Sequence, residues 1–344
     1  MKLIDFENHF YDQCLIDALE SRTEPPYYRK DTDLITWSDA ITMPQGPLLE
    51  KLLQVGEERI ALMDTLGIDC AVLSCSPGAE QLDPAESAAI CRRTNDVLYQ
   101  LVQRFPGRYL GSAILPVKDV PAAVAELERC VKELGFVAWH THSNYGETAP
   151  DDPRYRPIFQ KADELGVYVY LHPQLANASR VDDCGFPVAG PGLGFTMDTV
   201  TTLTRMIVGG LFDELPNLKV MLGHLGEALP FLLGRMDNRL KFLPNPKAKN
   251  KQDFSAYFHR NIYVTTSGNM SPEAFECTRR VLGLERILFA EIIRAFGVDH
   301  VLFGSDYPFE DASDMVEYVK NLPLGEQERS MLYYKNAQAL GVHV

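Results

Sequence analysis

Glu7-Asn8-His9 near the start of the chain, His172 in VYVYLHP, His224 with Glu227 in MLGHLGEALP, and Asp306 in VLFGSDYPF each sit at the end of a short apolar run. Carboxylates and imidazoles are the side chains that ligate divalent cations and move protons near neutral pH. Glu7 and His9 are two residues apart, which sends both side chains to one side of an extended chain. Any one of these positions alone reads as well as a hydrogen-bonded structural residue. Glu227 alone could be an acid favoured by a helix N-terminus, with His224 a satisfied core residue. Taken together, Glu7, His9, His172 and Asp306 offer two nitrogen and two oxygen ligands to one divalent ion, with His224 and Glu227 beside it.

Such a cluster forms only if the intervening elements bring distant runs to one place. Eight candidate strands are legible: 2–7, 70–74, 109–115, 136–140, 167–171, 219–223, 262–266 and 300–304. Most are followed by a helical stretch, such as 120–134 with apolar residues at Val124, Leu127, Val131 and Leu134. Asp83-Pro84, Asp152-Pro153 and Ser271-Pro272 place proline in a first helical turn, and Leu66-Gly67, Leu134-Gly135 and Leu165-Gly166 read as helix stops. Strand and helix in alternation predict α/β architecture, a single (β/α)8 TIM-like barrel over 1–344 in which all reactive residues meet on the C-terminal rim. Two stretches interrupt the repeat and are expected to be insertions: 20–50 after strand one, a lid over the barrel mouth or a plain surface loop, and 241–257 after strand six. Tyr27, Tyr28, Trp37 and Phe195 could line a pocket for a flat molecule, although packing accounts for each taken singly.

The bulk properties narrow the partners. A net charge of -14 argues against nucleic acid and anionic membranes, and leaves a small anionic substrate possible where local arginines attract it. No window reaches the roughly 18 apolar residues of a membrane span, and MKLIDFENHF lacks the form of a leader, so a soluble cytoplasmic protein is expected. The seven cysteines are scattered without a C-x-x-C pair, which predicts reduced thiols and no disulfide framework.

The segments DFENHF, WHTHSNYG, DDPRYRPIF, ELGVYVYLHP, GHLGE, GRMDNR and FGSDYPFE resemble the amidohydrolase superfamily, and within it the non-oxidative decarboxylases acting on γ-resorcylate, 2,3-dihydroxybenzoate, 5-carboxyvanillate and aminocarboxymuconate semialdehyde. The resemblance implies metal ligation by Glu7, His9, His172 and Asp306, with His224 and Glu227 around the reacting centre. It further implies that Arg59 contacts a substrate carboxylate and that Arg235 reaches into a neighbouring subunit's site in a homodimer or homotetramer. Without it, Arg59 reads as a surface helix residue and Arg235 as a salt-bridge partner. The superfamily's hydrolases carry His-x-His on strand one, where this chain has Glu7-Asn8-His9. At the end of strand four His140 and His142 stand where a bridging lysine would be, so a two-metal, lysine-bridged site is not expected. Two carboxylates suit a hard cation, which brings Mn2+ and Mg2+ alongside Zn2+.

The activity implied is reversible decarboxylation of a hydroxylated aromatic acid such as a dihydroxybenzoate, with Asp306 protonating the ring carbon. The alternative is metal-dependent hydrolysis or hydration of the lactonase type. A binding module without activity would be expected to lack a ligand from one strand end, and none is missing.

Overall fold

The structure, a computed structural model, describes residues 2–38, 41–44, 46–75, 79–175, 180–243, 245–282 and 300–343. Its strands are β1 (Ile4–Phe10), β2 (Tyr27–Arg29), β3 (Leu34–Ser38), β4 (Ile41–Pro44), β5 (Cys70–Cys75), β6 (Tyr109–Ala113), β7 (Ala138–His142), β8 (Tyr168–His172), β9 (Val220–Leu222), β10 (Ile262–Thr265) and β11 (Val301–Leu302). Eight of them run parallel in the order β1-β5-β6-β7-β8-β9-β10-β11. The chain after β11 returns to β1, where Phe6 N donates to Phe303 O at 2.9 Å, Asp306 N to Glu7 O at 2.8 Å and His9 N to Tyr307 O at 2.7 Å. Those bonds complete the eight-stranded barrel, and every barrel strand overlaps one expected from sequence. The first runs three residues further than expected, which carries Glu7 and His9 into its body.

Barrel interior and barrel wall follow the period of two. Ile4 and Phe6, Cys70 and Val72, Tyr168 and Tyr170, with Met221, Tyr263 and Leu302, form an inner cluster distinct from the larger core between strands and helices. The inward register of β7 runs Ala138, His140, His142 and that of β8 runs Tyr168, Tyr170, His172, so the filling changes from apolar to imidazole toward the C-terminal rim. On β1 the pairing steps from Asp5 opposite Ala71 to Asn8 opposite Leu73, one extra residue on β1. Such a bulge re-aims side chains, and this one lies at Phe6 and Glu7.

The helix expected over 120–134 spans Val120–Lys132 and buries Ala123, Leu127 and Cys130. Val124, Val131 and Leu134 are only half-buried, because the stripe facing the barrel is rotated by about one residue from the one the largest apolar side chains suggest. Gly67, Gly135 and Gly166 take positive φ as helix stops. Within 20–50, β2, β3 and β4 form an antiparallel sheet, and a helix over Pro47–Leu53 leads back to β1 through Tyr11 N donating to Leu52 O. The stretch 241–257 is less an insertion than expected. The helix Leu229–Phe242 occupies its beginning and the helix Phe254–Arg260 its end. Among the described residues no helix is long and apolar enough to cross a membrane, and all seven cysteines are unpaired.

Candidate metal centre

Glu7, His9, His172 and Asp306 converge at the rim, each offering one ligand atom, all of them within 4.8 Å of one another. All four are buried. Burial of so many polar groups is costly unless each atom has a partner, and most of the outward-facing atoms have one. Thr265 Oγ1 donates to Glu7 Oε2 at 2.5 Å, and Ser74 Oγ lies 3.1 Å from His9 Nδ1. His172 Nδ1 is 2.8 Å from the Pro173 carbonyl. A carbonyl can only accept, so Nδ1 carries the proton and Nε2 keeps its lone pair.

The atoms aimed at the common point are different. Among the described residues Glu7 Oε1, His9 Nε2 and Asp306 Oδ1 make no hydrogen bond, although His9 Nε2 and Asp306 Oδ1 are 3.0 Å apart. Three buried orphans converging, at about 1–3 kcal/mol each, are explained if they face a cation rather than one another. The donor set of two carboxylates and two imidazoles therefore fits a divalent metal.

Electrostatics agree with that reading. Burial, reinforced by the Asp306 carboxylate, raises the Glu7 carboxyl above its ordinary range. Burial also pushes Asp306 upward, but the neighbouring His224 and His9 imidazoles outweigh it and hold the carboxyl ionised. Burial keeps His172 neutral.

His224 is placed by backbone that few sequences tolerate. His224, Leu225, Gly226 and Glu227 take φ of 52°, 58°, 78° and 59°, four consecutive left-handed residues, of which only one is glycine. Strain of this kind persists only where surrounding contacts fix it. The turn folds Glu227 back so that Oε1 lies 2.7 Å from His224 Nδ1, while Thr196 Oγ1 donates to Oε2 at 2.6 Å. Glu227 thus precedes the helix Leu229–Phe242 and serves His224 rather than the helix terminus. A side chain at Gly268 would place its Cβ 2.6 Å from His224 Cδ2, so the ring lies directly on that backbone. His224 Nε2 is 3.8 Å from Asp306 Oδ2. Burial works against a charged His224, yet Glu227 and Asp306 together lift it well above its ordinary value.

The family profile described as amidohydrolase matches residues 58–340. The chain belongs to the amidohydrolase family. It is 35% identical over 306 residues to the gamma-resorcylate decarboxylase of Rhizobium sp. (strain MTP-10005), covering 85% of this chain and 89% of that enzyme. The dihydroxybenzoic acid decarboxylase of Polaromonas sp. JS666, solved with manganese and the inhibitor 2-nitroresorcinol, superimposes with a TM-score of 0.81 at 31% identity, over 98% of this chain and 96% of the other. The 5-carboxyvanillate decarboxylase LigW of Sphingomonas paucimobilis gives 0.84 at 29% identity and 99% coverage of both. These relatives place this amidohydrolase in the superfamily's decarboxylase branch.

A cavity of about 200 Å³ opens onto the centre, with His172, His224 and Asp306 at its floor and Phe186, Phe195 and Phe309 among its walls. Leu48, from the helix Pro47–Leu53, borders the cavity, so the first insertion does reach the barrel mouth. Of the aromatic residues singled out in the sequence, Phe195 lines it. Tyr28 is buried and donates to Asp33, Tyr27 packs under Arg29, and the Trp37 side chain lies outside the described residues.

The two arginines are placed apart from this cavity. Arg59 is 2% exposed, which overturns its reading as a surface residue. Its guanidinium donates to Asn8 Oδ1 at 2.6 Å, His9 O at 3.1 Å and Lys51 O at 2.6 Å, and lies 4.5 Å from the Tyr307 ring centre. It braces the strand that carries Glu7 and His9 and is not among the described residues that line the cavity. Arg235 is exposed on the helix Leu229–Phe242 and makes no ion pair among the described residues.

Sequence reasoning passed over Asp5. Fully buried on β1, it accepts from Ser305 N at 2.9 Å, Ser305 Oγ at 2.5 Å and Asn8 Nδ2 at 2.9 Å, tying the Asp306 loop to the first strand. Its signal was available: an acid inside an otherwise apolar strand start needs a partner elsewhere.

Proposed function

We propose that this amidohydrolase is a metal-dependent, non-oxidative carboxy-lyase acting reversibly on an aromatic acid with a hydroxyl beside its carboxylate, of which 2,6-dihydroxybenzoate is the first to test. The observation that carries the reading is the convergence of Glu7, His9, His172 and Asp306 on one point, with Asp306 also facing the His224–Glu227 pair. A cavity of about 150 Å³ lined by apolar groups takes a benzene ring, so the aromatic-walled space here is scaled to a single substituted ring.

Glu7, His9, His172 and Asp306 would hold the ion, which when bound supplies positive charge to a phenolic and a carboxylate oxygen of the acid. Manganese is favoured by the two carboxylates and by the manganese bound in the Polaromonas relative. The chain's own residues handle the proton. His224, charged between Glu227 and Asp306, stores it, and Asp306 passes it to the ring carbon that bears the carboxylate. The bond from that carbon to the carboxyl group then breaks, its electron pair restores the ring, and carbon dioxide leaves. Phe186, Phe195 and Phe309 hold the ring flat and limit water at the reacting carbon.

Phe231 is 82% exposed one helical turn before Arg235. An apolar side chain beside an arginine with no ion pair among the described residues suits a face covered by a second copy, and the proposal includes a homodimer joined there.

Incubation with 2,6-dihydroxybenzoate should release carbon dioxide and resorcinol, and resorcinol with bicarbonate should regenerate the acid. Turnover of lactones or enols with no carboxylation of any phenol under bicarbonate would replace this reading by the hydrolytic one.

A further inference from the structure

His140, His142 and His172 form a second cluster of ligand atoms, again all within 4.8 Å of one another and all buried. The cluster follows from register: His142 pairs with His172 across β7 and β8, and His140 pairs with Tyr170 one inward step below. Ring centres are 5.0 Å apart for His140 and His142, 5.2 Å for His140 and His172, and 5.6 Å for His142 and His172.

Two of the three rings are held as metal-binding histidines are held. A ligating imidazole almost always gives its other N–H to a carboxylate or carbonyl, which fixes the ring and its tautomer. His142 Nδ1 bonds to Glu80, itself fixed by Thr141 Oγ1 donating to Glu80 Oε1 at 2.8 Å, and His172 Nδ1 bonds to the Pro173 carbonyl. Each of these two rings offers one ligand atom to the cluster. The third ring supplies an independent observation. His140 is fully buried, and among the described residues neither of its nitrogens has a hydrogen-bond partner. A buried imidazole with two unmet nitrogens, beside two rings already oriented, lacks a polar partner that a cation would provide.

We propose that His140, His142 and His172 are a second metal position, alternative to the Glu7–His9–His172–Asp306 centre and selective for a borderline cation such as Zn2+ or Co2+. Three neutral imidazoles with no carboxylate ligand prefer those ions over Mn2+ or Mg2+. His172 offers one ligand atom and belongs to both sets, so the two positions cannot be filled at once. An ion in the three-histidine position takes His172 away from the carboxylate-rich centre. The chain thereby has a built-in competition between hard and borderline cations, whatever reaction the first centre catalyses.

The test uses purified chain stripped with chelator and dialysed against Co2+, read by metal analysis and visible absorption. Wild type should bind one ion per chain and no more. Glu7→Gln/Asp306→Asn, which removes both carboxylates of the first centre, should still bind one. Adding His140→Phe to that variant should weaken binding at least tenfold, and adding Glu80→Gln about 10- to 100-fold. Two ions per wild-type chain would overturn the exclusion, and a folded carboxylate-free variant that binds no Co2+, or binds it equally well with His140→Phe, would overturn the site. Should that variant not fold, the Zn2+ concentration that displaces bound Mn2+, followed by its paramagnetic resonance, should rise at least threefold in His140→Phe with both carboxylates intact. No rise would refute the proposal. None of these readouts depends on turnover, so failure of the decarboxylase reading and failure of this site are separable.

Discussion

Asp306 faces His224 across 3.8 Å from Oδ2, while its Oδ1 lies 3.0 Å from His9 Nε2. One carboxylate thus stands between an imidazole of the metal set and an imidazole whose proton is held by Glu227. The proposed metal binding and proton transfer use these two contacts of one side chain.

Replacing that carboxylate should stop catalysis and leave the barrel standing. Asp306→Asn is expected to lower kcat by at least the hundredfold to ten-thousandfold ascribed to general acid catalysis, with an unchanged circular dichroism spectrum. Turnover near wild type, measured as carbon dioxide release, would remove Asp306 from its proposed role.

Glu227→Gln keeps an acceptor for His224 Nδ1 and removes the charge behind it. With less support for a protonated His224, kcat should fall about tenfold to a hundredfold while KM changes little. Glu227→Ala, which also frees the ring, should be worse. Steady-state kinetics on the two variants separate the charge from the positioning.

Removal of metal should be reversible and visible in stability. Chelation is expected to abolish activity, and Mn2+ should restore it. Mn2+ at about a hundredfold over its Kd should add about 2.7 kcal/mol to the folded state, seen as a raised melting temperature. Glu7→Gln should lose most of that increment, since Glu7 Oε1 is one of the three unpartnered atoms.

Arg59→Met tests bracing against substrate contact. Loss of its bonds to Asn8, His9 O and Lys51 O leaves buried acceptors unmet, so a destabilisation of about 3 kcal/mol is expected, with KM little changed in the folded fraction. A large rise in KM at unaltered melting temperature would return Arg59 to the substrate.

His300 should make stability fall in mild acid. Burial, helped by Lys219 and His259, lowers its imidazole to about 4 from an ordinary 6.5, and its ring packs 4.5 Å from that of Tyr263. The unfolded chain then binds more protons between those two values, so stability is full above pH 6.5 and drains as pH falls toward 4, by at most about 3 kcal/mol. Urea unfolding at pH 7 and pH 5 should show the loss, and His300→Gln should reduce it.

The four residues that converge at the rim, the eight strands and the family were legible in the sequence, because strand period, helix stops and rim position are local properties of short segments. Asp306 and His172 could be named from SDYPF and YLHP alone. What local pattern could not decide was where each charged group points once segments from opposite ends of the chain meet. The bulge that turns Glu7 inward depends on pairing with β5, the burial of Arg59 on the return of Lys51 and Asn8 around it, and the service of Glu227 to His224 on a left-handed turn. Asp5 and Thr265, which support the rim cluster from behind, lie 300 and 258 residues from their partners Ser305 and Glu7. Hydrogen bonds across such separations exist only after the barrel has closed, since it is closure that removes water and leaves each buried polar atom to find its match within the fold.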